Sequence, residues 1–270
     1  MNAEHDNEPA ANHRGAVRAI ARRTVAKWVA IGFALALVLS ASLTVLGAPG
    51  WVTVWSVAAL GVFTIPYVIS CPVLAGMKAA LSKLEPIRED DWRSCLDEVE
   101  ADAAELGELG FEQVDGFCLP TMPESLVLLF AHGVEPVAAA LYVFKAGHTI
   151  EINTVFTRDV QLATTNSRHV GLPLVPEGWL RQAFLGTGIR QLMAEHGRAV
   201  KFVQSQGLTP VRVGPSDLRD GLVAGGHRAI AHVEKSWFWP LKAFYGQFFG
   251  VGQKYRRRIE DQHSLGVVRL

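Results

Sequence analysis

The chain has 270 residues, 26 of them basic and 26 acidic, so its formal charge at pH 7 is zero before histidine is counted. A balanced chain lacks the clearly basic face that nucleic-acid binding demands, and nucleic acid is excluded as an expected partner. Hydrophobic residues make up 49%, but that average joins two different regions.

Residues 1–27 open with the polar stretch MNAEHDNEPAANH, expected to be mobile, and go on to Arg14, Arg18, Arg22, Arg23 and Lys27. From Trp28 through Met77 no side chain is charged, a run far longer than the ~18 residues that mark a candidate span. It breaks once, at GAPG, residues 47–50. Before the break, residues 28–46 give about 28 Å of helix at ~1.5 Å per residue, close to the ~30 Å hydrocarbon core. After it, residues 51–71 give a second span, which can continue to Met77. Pro66 and Pro72 can kink or end that helix by removing backbone donors.

The expectation is a transmembrane helical hairpin over residues 28–77, with the lipid bilayer as partner. Lys78, Lys83 and Arg88 follow the second span, whereas the connecting turn is uncharged. The positive-inside rule then places both termini in the cytoplasm of an integral membrane protein. The Arg- and Ala-rich usage points to a bacterial inner membrane. Trp28, Trp51 and Trp55 fall near the predicted interfaces, where amphipathic rings sit. ARRTVAK and the later LGA loosely resemble an export signal and its cleavage site. The apolar stretch outruns a signal core and a second span follows at once, so a basic flank is the better reading. The spans hold no ionisable residue to mark a transport pathway.

Cys71, Cys95 and Cys118 form no CxxC pair and indicate neither a disulfide framework nor a zinc site. Reduced thiols suit a cytosol-facing domain, expected over residues 78–236. Its first element is a helix, with Trp92, Leu96, Val99, Ala103 and Leu106 at helical spacing and Gly107 or Gly110 as its stop. A strand rhythm begins at Phe111: FEQVDGFCL, SLVLLFAH, PVAAALYVFK, TIEINTVFT and QLATTN. The gaps are short, and short gaps permit only antiparallel neighbours. The prediction is a five-stranded meander flanked by helices, an α+β fold. In the fourth strand Ile150, Ile152, Thr154 and Phe156 share a packed face, while Glu151 and Asn153 lie on a wetter one.

Beyond the meander, Thr187 is expected to cap a helix over residues 188–196 that Gly197 ends. A second helix starts near Ser216, and LTPVRV can add an edge strand between them. Residues 237–270 form an aromatic and basic C-terminal segment. Leu241, Phe244, Tyr245, Phe248 and Val251 make an apolar stripe after Pro240, with Trp237 and Trp239 before it. Two readings stand: a helix on the membrane surface, with its basic end on anionic lipid, or a core helix packed on the meander.

Chemistry-bearing residues are sparse. No His pair makes HxxxH, and neither GxSxG nor a P-loop is present. QLATTNSRH ends the fifth strand, so Asn166, Arg168 and His169, together with His132 at the end of the second strand, are candidates for a ligand or partner patch. Arg168 and His169 could hold an anionic group that Asn166 orients. Gly186, Thr187 and Gly188 open a helix and could offer backbone amides to an anion.

LGTGIRQLMAEHG is similar to the acetyl-CoA pyrophosphate loop of the GNAT acetyltransferases, an Arg/Gln-x-x-Gly-x-Gly/Ala turn that opens a helix. Ala183 stands at the first position of that frame. The resemblance covers about a dozen residues and implies a membrane-bound acyltransferase using the loop at Gly186–Gly188. The residues themselves favour a membrane-anchored module that recognises a protein partner or small ligand without catalysis. A protein partner or homo-oligomer is expected, with no cofactor and no metal.

Overall fold

The computed structural model describes residues 8–87, 89–120, 125–167, 175–248 and 251–270. It divides into two compact units: Met1–Lys83 with Ser236–Phe249, and Leu84–Lys235 with Gly250–Leu270. The C-terminal stretch 237–270 is therefore shared between the two.

The first unit is helical. α1 (Glu8–Val45) and α2 (Gly50–Leu81) form a hairpin, and both are long and apolar enough to cross a membrane. Helix begins at Glu8, inside the stretch expected to be mobile, because alanine and arginine there are good helix formers continuous with the span. Gly47 ends α1 at φ +70, with Gly47 N–H donating to the Thr44 carbonyl at 3.0 Å. This is the left-handed stop that glycine tolerates best. α2 continues through Pro66 and Pro72 to Leu81. Trp28 packs its ring 4.9 Å from that of Tyr67. Most large apolar side chains of the hairpin face outward: Phe33 is 66% exposed, Phe63 58% and Trp55 70%.

The aromatic helix α6 (Trp239–Phe248) belongs to this unit and packs on α2. The Tyr67 hydroxyl donates to the Trp237 carbonyl at 2.7 Å, and the Tyr245 hydroxyl to the Val62 carbonyl at 2.6 Å.

The second unit is an α+β layer structure around a mostly antiparallel sheet. The meander comprises β1 (Phe111–Leu119), β2 (Ser125–His132), β3 (Ala138–Phe144), β4 (Gly147–Phe156) and β5 (Gln161–Thr165). β6 (Trp179–Ala183) extends it, and β7 (Pro210–Val211) pairs with β4. β7 falls within LTPVRV. β6 adds an unexpected strand ahead of the helix that follows the meander: WLRQA pairs in parallel with β5, Leu162 opposite Leu180 and Thr164 opposite Gln182. Parallel return needs a crossover of about a dozen residues, and residues 166–178 provide it.

One face of the sheet carries the main core. Trp92, Val99 and Leu106 of α3 (Glu89–Glu108) pack there with Leu126, Leu128, Leu141, Ile150 and Ile152. Along β4 burial alternates residue by residue, with Ile150, Ile152, Thr154 and Phe156 inside. α4 (Ile189–Ser205) covers the same face further along. Gly188 caps it with no side-chain bond from Thr187, and the helix passes through Gly197 to Ser205. Its buried stripe of Ile189, Leu192, His196, Ala199 and Val203 continues beyond that glycine, and packing outweighs the ~1 kcal/mol helix cost of one glycine. Gly207, at φ +84, marks the turn instead.

On the opposite face, α5 (Leu218–Glu234) places Leu218 and Leu222 against Phe117, Val127 and Leu129. Arg219 of α5 also grips Asp115 of β1 through two guanidinium nitrogens. After a 3₁₀ turn, α7 (Ile259–Ser264) closes the unit beside α4 and β6.

Candidate functional site

The exit of β5 is sewn to β4. Asn166 Oδ1 accepts the Ile150 N–H at 2.9 Å, while its own N–H donates to the Ile150 carbonyl at 3.3 Å. The Thr165 hydroxyl donates to the same carbonyl at 2.7 Å and accepts the Ser167 N–H at 3.1 Å. Asn166 thus extends a strand ladder with its side chain, the work of a polar strand end. Arg168 and His169 lie outside the described residues.

His132 has a local role too. Its Nδ1 accepts the N–H groups of Val134 and Glu135 at 3.1 and 2.9 Å, and its ring meets Phe111 edge-on at 5.0 Å. In an antiparallel meander the second and fifth strands run in opposite directions, so they exit at opposite ends of the sheet. His132 and Asn166 are not brought together.

Gly186 adopts φ +67 in the turn between β6 and α4, and Gly188 begins α4, its carbonyl accepting the Leu192 N–H at 2.9 Å. A strand therefore feeds directly into this loop. Ala183, at the frame position where Arg or Gln would stand, is buried.

Two groupings emerge that spacing along the chain did not reveal. The first is buried. His196 has no exposed surface; its Nε2 lies 2.9 Å from the Thr154 hydroxyl and its Nδ1 2.8 Å from that of Thr164. Gln182 donates to the Thr164 hydroxyl at 2.9 Å and accepts the Ile259 N–H at 3.2 Å. Burial lowers the His196 pKa to about 3, so the ring is neutral and one threonine donates to it while the other accepts. The network fastens α4, β4, β5, β6 and α7 together. It has no surface for a substrate, and its work is structural.

The second grouping is on the opposite sheet face. Glu151 pairs across with Ala140 and Thr165, Arg181 with Ala163, and Trp179 with Gln161. Asn153 donates to Glu151 at 3.2 Å, and the Arg181 guanidinium lies 5.7 Å from the Trp179 ring centre. Burial and then the Glu151 carboxylate push the Tyr142 hydroxyl pKa up, while Arg181 pulls it the other way. Ala140, Ala163 and Ala183 of this face are buried; Tyr255 packs beside Ala183, and a Cβ added at Gly225 of α5 would lie 3.6 Å from the Trp179 ring. Glu151 and Arg181, both half-buried, are the groups of this face that can meet a polar or anionic partner. Only alternation along three separate strands places these residues on one face.

The aromatic residues assigned to a membrane interface distribute unevenly. Trp51, Trp55 and Trp237 are exposed, whereas Trp239 is buried. The Phe244 ring stands edge-on to Tyr245 at 5.2 Å. The Phe248 side chain lies outside those described. Among the described residues no group of three His, Cys, Asp or Glu is placed to hold a metal ion. No protein family, curated protein or solved structure matches the chain.

Proposed function

We propose that this is a membrane-anchored recognition protein: the hairpin fixes an α+β unit to the cytoplasmic face of a bacterial inner membrane, with both termini cytoplasmic. The observation that carries the anchor is outward exposure of apolar residues along α1 and α2, none of the candidate window in α1 being buried. Side chains such as Phe33 and Phe63 would be costly in water and are at home in lipid. The basic flanks on both outer ends of the hairpin give the orientation.

The α+β unit binds a protein partner or small ligand on the sheet face of Tyr142, Glu151, Arg181 and Trp179. A second reading, an acyltransferase, draws on the strand-to-glycine-turn-to-helix run through Gly186 and Gly188. Protease accessibility in sealed inside-out and right-side-out vesicles tests the orientation. Cleavage of the α+β unit only when the cytoplasmic face is exposed is expected; cleavage from the other face refutes it. Thermal shift of the detergent-solubilised chain against nucleotides, acidic peptides and acetyl-CoA tests the site, since a bound ligand raises the midpoint by mass action. A shift abolished by Arg181→Ala supports the sheet face. An acetyl-CoA shift that survives Arg181→Ala supports the acyltransferase.

A further inference from the structure

Pro66 sits inside α2 and has no N–H to donate. In a continuous α-helix that N–H would pair with the carbonyl four residues back, the one on Val62. The Tyr245 hydroxyl of α6 donates to this same carbonyl at 2.6 Å. A carbonyl freed in water is satisfied by solvent, but one freed in hydrocarbon needs a protein donor. A second tie, from the Tyr67 hydroxyl to the Trp237 carbonyl at 2.7 Å, holds the start of α6 one turn further along α2.

We propose that α6 is a half-depth membrane wedge that enters one leaflet beside α2 and closes the hydrogen-bond gap opened by Pro66. The inference rests on the membrane-anchor reading above. Counted from Trp51, Val62 is about 17 Å along the helix, near the middle of a ~30 Å core, and Tyr67 is about 24 Å along, near its far boundary. The antiparallel contacts therefore put Trp237 close to the boundary and Tyr245 close to the middle. Ten residues of α6 make about 15 Å of helix, the thickness of one leaflet's hydrocarbon.

Composition agrees with that depth. Between Ser236 and Val251 the only charged residue is Lys242, which is exposed and can extend its stem toward the headgroups. Lys254, Arg256 and Arg257 follow, the residue types that anionic headgroups attract. α6 and the hairpin fall in one compact unit although 183 residues separate Tyr245 from Val62. The occupant of the outer faces of α6 is accordingly the acyl-chain layer of a phospholipid leaflet.

The test uses the full chain with Cys71, Cys95 and Cys118 replaced by serine, in phosphatidylcholine–phosphatidylglycerol vesicles. Single cysteines at Leu37, Trp237 or Ala243 carry a spin label, and its exposure to oxygen and to a water-soluble nickel complex reports depth. The wedge requires labels at Leu37 and Ala243 to be oxygen-rich and shielded from nickel, with Trp237 intermediate. A nickel-exposed Ala243 label with a deep Leu37 label overturns the wedge and leaves the anchor standing. Nickel exposure at both overturns the anchor as well. Tyr245→Phe is then compared in the native and Pro66→Ala backgrounds, because Pro66→Ala restores the missing N–H. Nickel exposure at Ala243 should rise severalfold when Pro66 is present and stay unchanged in the Pro66→Ala background. An equal rise in both backgrounds overturns the carbonyl-closing role.

Discussion

His196 shows how much a single side chain can hold in this fold. Folded, it takes up a proton only near pH 3; its ordinary value is 6.5. Between those values the unfolded chain holds the extra proton, so stability falls as pH drops from 6.5 toward 3. The slope reaches about 1.4 kcal/mol per pH unit for this one group. Chemical denaturation at pH 6.5 and 4.5 should show the loss, and His196→Gln should remove that component of it. His196→Ala, which leaves two buried hydroxyls without their partner and a void, should cost about 2–4 kcal/mol at neutral pH. The sequence presents His196 as one more histidine on a helix. Its meaning comes from Thr154 and Thr164, which lie 42 and 32 residues away on strands whose register no local spacing encodes. Asn166 was legible as a strand end, because asparagine after a β-branched pair is local information. Its bond to Ile150, across a hairpin, was not.

At the level of elements, α4 illustrates packing overruling propensity. A Cβ added at Gly197 meets nothing within 4 Å, so Gly197→Ala should stabilise by about 0.5–1 kcal/mol and raise the unfolding midpoint by a few degrees. Calorimetry on the full chain in detergent would read this directly; a lowered midpoint would contradict a continuous helix there. The strands of the meander were readable because each is short, holds β-branched or aromatic residues and is bounded by turn residues. β6 was not, since WLRQA is built largely from good helix formers and becomes a strand only by pairing with β5. Besides buried Ile259, α7 is held by Gln262, whose side-chain amide donates to the Arg181 and Arg257 carbonyls at 2.7 and 2.8 Å, and by Arg258 paired with Glu195 at 2.9 Å. That pairing holds the Glu195 carboxyl below its usual range, so its contribution fades as pH falls through that lowered pKa. Gln262→Ala should loosen the element, and trypsin should cut after Arg257 faster than in the parent chain.

For the whole molecule, the feature most readable from sequence is the hairpin, since an uncharged run of that length needs no tertiary partner to be recognised. The docking of α6 on it was beyond reach, because nothing local pairs Tyr245 with Val62. If the hairpin anchors the chain, Leu37→Arg near the centre of α1 should make insertion less favourable by about 3 kcal/mol. Carbonate extraction should then release a larger share of the protein, and an unchanged membrane fraction would argue against insertion of α1. Because the helical unit is assembled from two segments at opposite ends of the chain, its completion is a matter of time as well as place. At ~5–20 residues per second, the ribosome delivers Tyr245 about 10–40 seconds after Val62. On the membrane-anchor reading, the proline notch of the hairpin stands open throughout that interval to any other donor within reach, a chaperone or a second hairpin included.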